Sequence, residues 1–148
     1  MATARQVLGR WGELIVTKKF ACPRCKRFNC LRRLPTNFKC ADVICDFCGY
    51  LAQVKTTTVA DVSKIPRSIL GAAWEPQRQR MNAGIYFPLW LVLRQRNRTA
   101  VYYLPTEFQH PKMFRKRAPL SKSARRAGWQ GFRYDLAGLN IRALVRLL

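Results

Sequence analysis

A mixed α/β (α+β) fold with a small metal-held insertion is predicted for this chain by three observations. A helical apolar stripe opens it, strand-like runs recur through its middle, and two Cys-x-x-Cys doublets stand between them. At 148 residues the chain is about one domain long, so residues 1–148 are expected to form a single unit. Its subregion 22–48 would be the insertion.

Residues 4–19 place Val7, Leu8, Trp11, Leu14 and Ile15 at helical intervals, with Arg5, Arg10, Lys18 and Lys19 off that stripe, which predicts an amphipathic first helix. Lys18 and Lys19 suit the negative end of its dipole. The stretch 20–48 holds all six cysteines and few long apolar runs, as expected where a metal replaces part of a core. Short strands should flank it. From Gly49 to Val59 the side chains alternate and then become β-branched, which predicts a strand with Gln53 and Lys55 on one face and Val54 facing the core.

Asp61 to Arg67 reads as a turn around Pro66, and Gly71 to Met81 as a short helix beginning near Glu75-Pro76, since proline is tolerated in a first turn. Ile85 to Leu93 is the most apolar run. With the basic turn Arg94 to Arg98 and the run Ala100 to Leu104 it predicts a buried β-hairpin in the middle of the sheet. Residues 112–133 form a basic loop broken by aromatics, a pattern that favours a functional segment over a linker. Leu136 to Leu148 closes the chain as a helix or a strand.

Lysine and arginine number 28 against 7 acids, giving a net charge of +21 and a pI near 10.9. A polyanion is the natural partner of such a surface. The hydrophobic fraction of 49%, with 11% aromatic, excludes a basic disordered tail. Neither a signal peptide nor an apolar run of about 18 residues is visible, so an intracellular, cytoplasmic protein is expected. That setting disfavours disulfides.

The doublets Cys22-Pro-Arg-Cys25 and Cys45-Asp-Phe-Cys48 therefore read as thiolate ligands. A Cys-x-x-Cys turn points two sulfurs at one centre, and two such turns complete a closed tetrahedral zinc site of Cys22, Cys25, Cys45 and Cys48. A redox role would call for one doublet at a helix start, not two facing ones. Cys30 and Cys40 are left over, either as small buried residues beside the site or in a second metal role.

Between the doublets lies Asp42, and just beyond them Gln53-Val54-Lys55. Metal-assisted phosphodiester cleavage needs oxygen ligands for magnesium and a cation near the attacking water and the phosphate. Asp42, Gln53 and Lys55 provide those types, and Glu13 on the first helix would converge on them. Asp42 sits in the apolar run Ala41-Asp42-Val43-Ile44, so burial without a cation would be costly. The competing readings are a solvated strand lysine for Lys55 and an ion pair with Lys18 for Glu13.

These residues, with Gly71-Ala-Ala, the hairpin and the segment Ala118 to Gly131 containing Ala-Arg-Arg-Ala-Gly-Trp, carry a family likeness. The chain resembles the catalytic domain of the DpnI-like restriction endonucleases, zinc-containing members of the PD-(D/E)XK nuclease superfamily. The resemblance implies a PD-(D/E)XK restriction-endonuclease-like core, in which a mixed central sheet is flanked by helices and carries the four-cysteine zinc knuckle. It implies an endonuclease that uses magnesium or manganese on double-stranded DNA, including adenine-methylated DNA. Asp42 would hold the metal, Gln53 would fill the motif's acidic position, Lys55 would be its lysine and Glu13 would add a helix-borne contact.

Two departures bear on that expectation. The family has glutamate where this chain has Gln53, which removes one negative charge from the metal site. The family's winged-helix domain follows the catalytic domain and has no counterpart in these 148 residues. Affinity would then come from basic charge, dimerisation or a separate specificity partner, with the chain a monomer or a homodimer. Lys116, Lys122, Arg125, Arg126 and Arg133 would clamp the DNA backbone beside Trp129, for which the resemblance implies contact with the methylated base and packing alone would imply a core position. The alternative functions are a zinc-containing DNA-binding protein with weak or no catalysis, and a basic zinc-ribbon RNA-binding protein.

Overall fold

The computed structural model describes residues 1–38, 40–139 and 145–148. In chain order the elements are α1 (Ala4–Lys19), β1 (Leu31–Arg33), β2 (Val43–Cys45), β3 (Leu51–Thr58), β4 (Ser68–Ala73) and α2 (Trp74–Asn82). They continue through β5 (Leu89–Gln95), β6 (Arg98–Leu104), β7 (Phe114–Lys116), β8 (Gly131–Asp135) and β9 (Val145–Arg146). Thr3 and Gln6 form a capping box at the start of α1, each side chain accepting from the other's backbone N–H at 3.2 and 2.8 Å.

Six strands make one sheet in the order β1-β2-β3-β5-β6-β9. Its β3–β5 pair is parallel and its other pairs antiparallel, so the central sheet is mixed. The remaining strands form a small sheet in the order β4-β8-β7. Every residue from Leu89 to Leu93 is buried because both faces of β5 are covered. Trp90 and Val92 join Val16, Val54 and the knuckle cysteines in a core that α1 closes through Trp11 and Ile15. Leu89, Leu91 and Leu93 join Ile69, Phe114, Phe132 and Tyr134 of the small sheet in a second core.

This two-sided packing corrects the expectation that Val54 alone would face the core. Gln53 pairs with Leu89 and Lys55 with Leu91, which puts both on the face covered by the small sheet. Gln53 is only 5% exposed, against 6% for Val54. The helix expected to begin near Glu75-Pro76 starts at Trp74, with both residues in its first turn, and residues 68–73 before it are claimed by strand pairing with β8. Gly71 makes that pairing compatible with the core: a Cβ there would lie 2.3 Å from the ring of Phe132.

The basic segment 112–133 is likewise a loop only in its middle, with β7 before it and β8 beginning at Gly131. The hairpin runs as expected, but its first strand starts at Leu89, leaving Ile85 to Pro88 as a connection. Of the closing segment, β9 pairs with β6, and residues 140–144 lie outside the described residues.

Candidate functional site

The four doublet sulfurs of Cys22, Cys25, Cys45 and Cys48 all lie within 4.8 Å of one another. Cys22 Sγ and Cys48 Sγ are 3.6 Å apart, and Cys25 Sγ and Cys45 Sγ 3.7 Å. A tetrahedron with Zn–S bonds of ~2.3 Å has edges of about 3.8 Å, so the cluster fits a structural zinc. Burial opposes ionisation at both Cys22 and Cys45. At Cys22 it prevails and pushes the thiol up to about 12. At Cys45 the backbone N–H groups of Cys48 and Phe47 and the neighbouring thiols outweigh it, pulling the group down to about 6. The cluster thus favours a first thiolate, while gathering four needs a cation.

Cys30 lies beside this cluster, buried, with its thiol donating to the Arg27 carbonyl at 3.2 Å. Cys40 is half-buried and outside the cluster, with a positive φ of 69°. Only the first of the two spare cysteines therefore matches a buried neighbour of the metal.

The second doublet is also the end of a short arm that begins at Asp42. That residue continues the β2–β3 ladder: its N–H donates to the Ala52 carbonyl at 2.9 Å, and its Oδ2 accepts from the Val54 N–H at 2.8 Å. The carboxylate is thereby pinned beside the strand that carries Lys55. Across from it, α1 lies against β3 so closely that a Cβ on Gly12 would meet Thr56 Oγ1 at 1.7 Å and Thr56 Cβ at 2.9 Å. Glycine at position 12 is what lets the helix bring the next residue, Glu13, down to the strand.

Glu13 is held by Arg33, whose Nε donates to its Oε2 at 3.0 Å, rather than by Lys18. Burial raises the Glu13 pKa above the usual carboxylate value; the Arg33 bond opposes the rise, the Asp42 charge adds to it, and Arg33 and Lys55 attract the carboxylate. Two carboxylates that repel each other beside a lysine form a donor set that a divalent cation would relieve. Asp42 and Glu13 fit such a cation.

A cleft of about 790 Å³ joins these groups to the basic segment: Glu13, Asp42 and Lys55 line it together with Arg117, Trp129 and Arg133. Trp129 is half-buried at its wall. Gly131 makes room for the indole, since a Cβ there would sit 2.7 Å from the ring. The Arg126 guanidinium stacks on the indole at 4.8 Å from the ring centroid. Arg133 Nε donates to Ser68 Oγ at 3.0 Å. Lys116, Lys122, Arg125 and Arg126 are exposed on β7 and the loop beside the cleft and do not line it. Arg33 and Arg117 were not singled out by the sequence, because one basic residue among 28 carries no signal until its neighbours are known.

The model of the DpnI family, described as the Dam-replacing family, matches residues 2–148. The chain belongs to this family. Membership in the DpnI family indicates a restriction-like nuclease acting on methylated DNA, with DNA as the partner. Among the described residues no helix is long and apolar enough to cross a membrane.

In this DpnI-family chain Gln53 takes a different place from the other motif residues. It does not line the cleft. Its Oε1 accepts a hydrogen bond from the hydroxyl of Tyr134 on β8. Burial, reinforced by the Asp42 charge, keeps that hydroxyl protonated well above the usual phenol range, so it remains a donor. Gln53 thus ties the two sheets together beneath the cleft, at the register position where it flanks Lys55.

Proposed function

We propose that this chain is a magnesium- or manganese-dependent endodeoxyribonuclease of the PD-(D/E)XK type, one domain over residues 1–148, that cuts adenine-methylated double-stranded DNA. The observation that carries this reading is the convergence of Glu13, Asp42, Lys55 and Trp129 on one cleft from four separate parts of the chain. Asp42 and Glu13, with the Val54 carbonyl, would hold the cation, which when bound supplies positive charge to the scissile phosphate.

The protein's own contributions follow from position. The Lys55 ammonium, on the same wall as the carboxylates, stabilises negative charge as water attacks phosphorus and orients that water. The bond to the 3′ oxygen breaks, leaving a 5′-phosphate and a 3′-hydroxyl, as the attacking water gives up a proton to solvent and the departing oxygen takes one up from it. Arg117 and Arg133 hold flanking phosphates from the cleft wall, and Lys116, Lys122, Arg125 and Arg126 do so from its rim. Trp129, stiffened by Arg126 and seated on Gly131, offers an apolar face for the methylated base. The cytoplasm is the compartment where such an enzyme meets foreign DNA.

A second reading is a DNA-binding zinc protein without efficient catalysis, and the engagement of Gln53 by Tyr134 favours it. The two separate on supercoiled plasmid at low salt with magnesium or manganese. A nuclease nicks or linearises adenine-methylated plasmid and leaves unmethylated plasmid intact. A binder retards both and cuts neither under any metal.

A further inference from the structure

The zinc knuckle carries surface chemistry that holding the fold together does not require. Phe28 is 72% exposed and Phe47 60% exposed, one near each doublet. Around them Arg24, Lys26, Arg27 and Arg32 bring positive charge to the surface. Asp46 is the one acid within the knuckle turns and is engaged by Arg32, Nε to Oδ2 at 3.1 Å. Among the described residues Arg24, Lys26 and Arg27 make no salt bridge. The Arg27 guanidinium lies 3.7 Å from the centroid of Phe47, so the cation bridges the two halves of the metal site.

Single exposed phenylalanines are ordinary on a protein surface. Two of them interleaved with three cations that make no salt bridge among the described residues, on loops that one metal would close, make a basic and aromatic face. Its position matters too. β2 runs from Val43 to Cys45, so the knuckle begins three residues from Asp42, about 10 Å at ~3.3 Å per residue. One turn of duplex is about 34 Å long. A duplex presenting a phosphate to the cleft therefore extends well past the distance at which the knuckle sits.

We propose that the zinc knuckle is a second DNA-binding surface, in which Arg24, Lys26 and Arg27 contact backbone phosphates and Phe28 and Phe47 pack on the duplex beside them. It rests on the reading of double-stranded DNA as the substrate. The metal then has two effects, closing the core and presenting the contact face as a rigid unit. Contacts from the knuckle and the 116–133 segment together spread affinity along the duplex.

The test is fluorescence anisotropy of a labelled duplex of about two helical turns with the zinc-loaded full chain, without magnesium, across a salt series. The knuckle triple Arg24→Gln, Lys26→Gln, Arg27→Gln is compared with a control triple of equal charge, Lys64→Gln, Arg96→Gln, Arg98→Gln. Three lost phosphate contacts lower the slope of log K against log salt by about 2.7 for the knuckle triple, at ~0.9 per phosphate. The control triple should leave the slope near that of the unaltered chain. Phe28→Ser with Phe47→Ser removes apolar contact with the duplex and should weaken binding roughly tenfold with the slope unchanged.

Zinc content is measured on every variant, so each comparison is made between closed knuckles. A knuckle triple that matches the control, a phenylalanine pair that binds as the unaltered chain does, or an unaltered chain that does not bind the duplex overturns the proposal. Because binding is read without cleavage, a chain that binds through the knuckle and never cuts refutes the nuclease reading alone. A chain that cuts and is indifferent to the knuckle variants refutes this surface alone.

Discussion

Lys55→Ala is expected to lower the rate of strand scission by about 10²–10³-fold or more while leaving zinc content and duplex affinity close to those of the unaltered chain. Lys55 lines the cleft beside Asp42 and Glu13, so its charge acts where charge develops in the transition state rather than where the fold is held. It is half-buried at a central strand position, and its methylene stem can be replaced by alanine without opening a core cavity. Single-turnover plasmid cleavage and anisotropy, measured on the same preparation, separate the two effects. Equal loss of binding and scission would make Lys55 a DNA-docking residue.

Loss of the zinc that the four cysteines fit is expected to have the largest structural effect. Cys22, Cys30 and Cys45 belong to the same core as Val16, Tyr50, Val54 and Trp90, so the knuckle is continuous with the helix side of the sheet. Structural zinc in small sites supplies apparent free energies of about 10–16 kcal/mol near neutral pH, comparable with the whole stability of a domain. Chelation, or Cys45→Ser, should therefore unfold more than residues 22–48. Trp90 reports on it, since its indole N–H donates to the Tyr50 hydroxyl at 3.2 Å and its ring packs on Phe20 at 5.1 Å. A red shift of tryptophan emission and a collapse of thermal stability are expected. Cys30→Ser, whose sulfur is not among the four, should retain one zinc per chain and lose far less stability. Unchanged emission after complete zinc removal would show that the knuckle is a detachable appendage.

The parts of this molecule that were legible in sequence share a physical property: their signals are local. The doublets, the stripe on α1 and the runs that became β3, β5 and β6 each announce themselves within a few turns or strand lengths. The small sheet was not legible, because β7 has three residues and β8 pairs with β4 from far up the chain, and no local pattern encodes such a partner. Gln53 shows the same limit at the site. Spacing put it on the strand face of Lys55, which holds, yet its hydrogen bond to Tyr134 depends on β8 crossing beneath the cleft. The arrival of Glu13 at Asp42 depends on Gly12 and Thr56 meeting across two elements, which composition cannot reveal.

The central claim is that the cleft is a divalent-metal centre built on Asp42. Manganese binding to the zinc-loaded chain, followed by electron paramagnetic resonance in the absence of DNA, tests it most directly. One manganese bound per chain, lost in Asp42→Ala while zinc content and duplex binding persist, is the predicted result. Equal manganese binding by the two proteins would contradict the claim and move the bound metal away from Asp42.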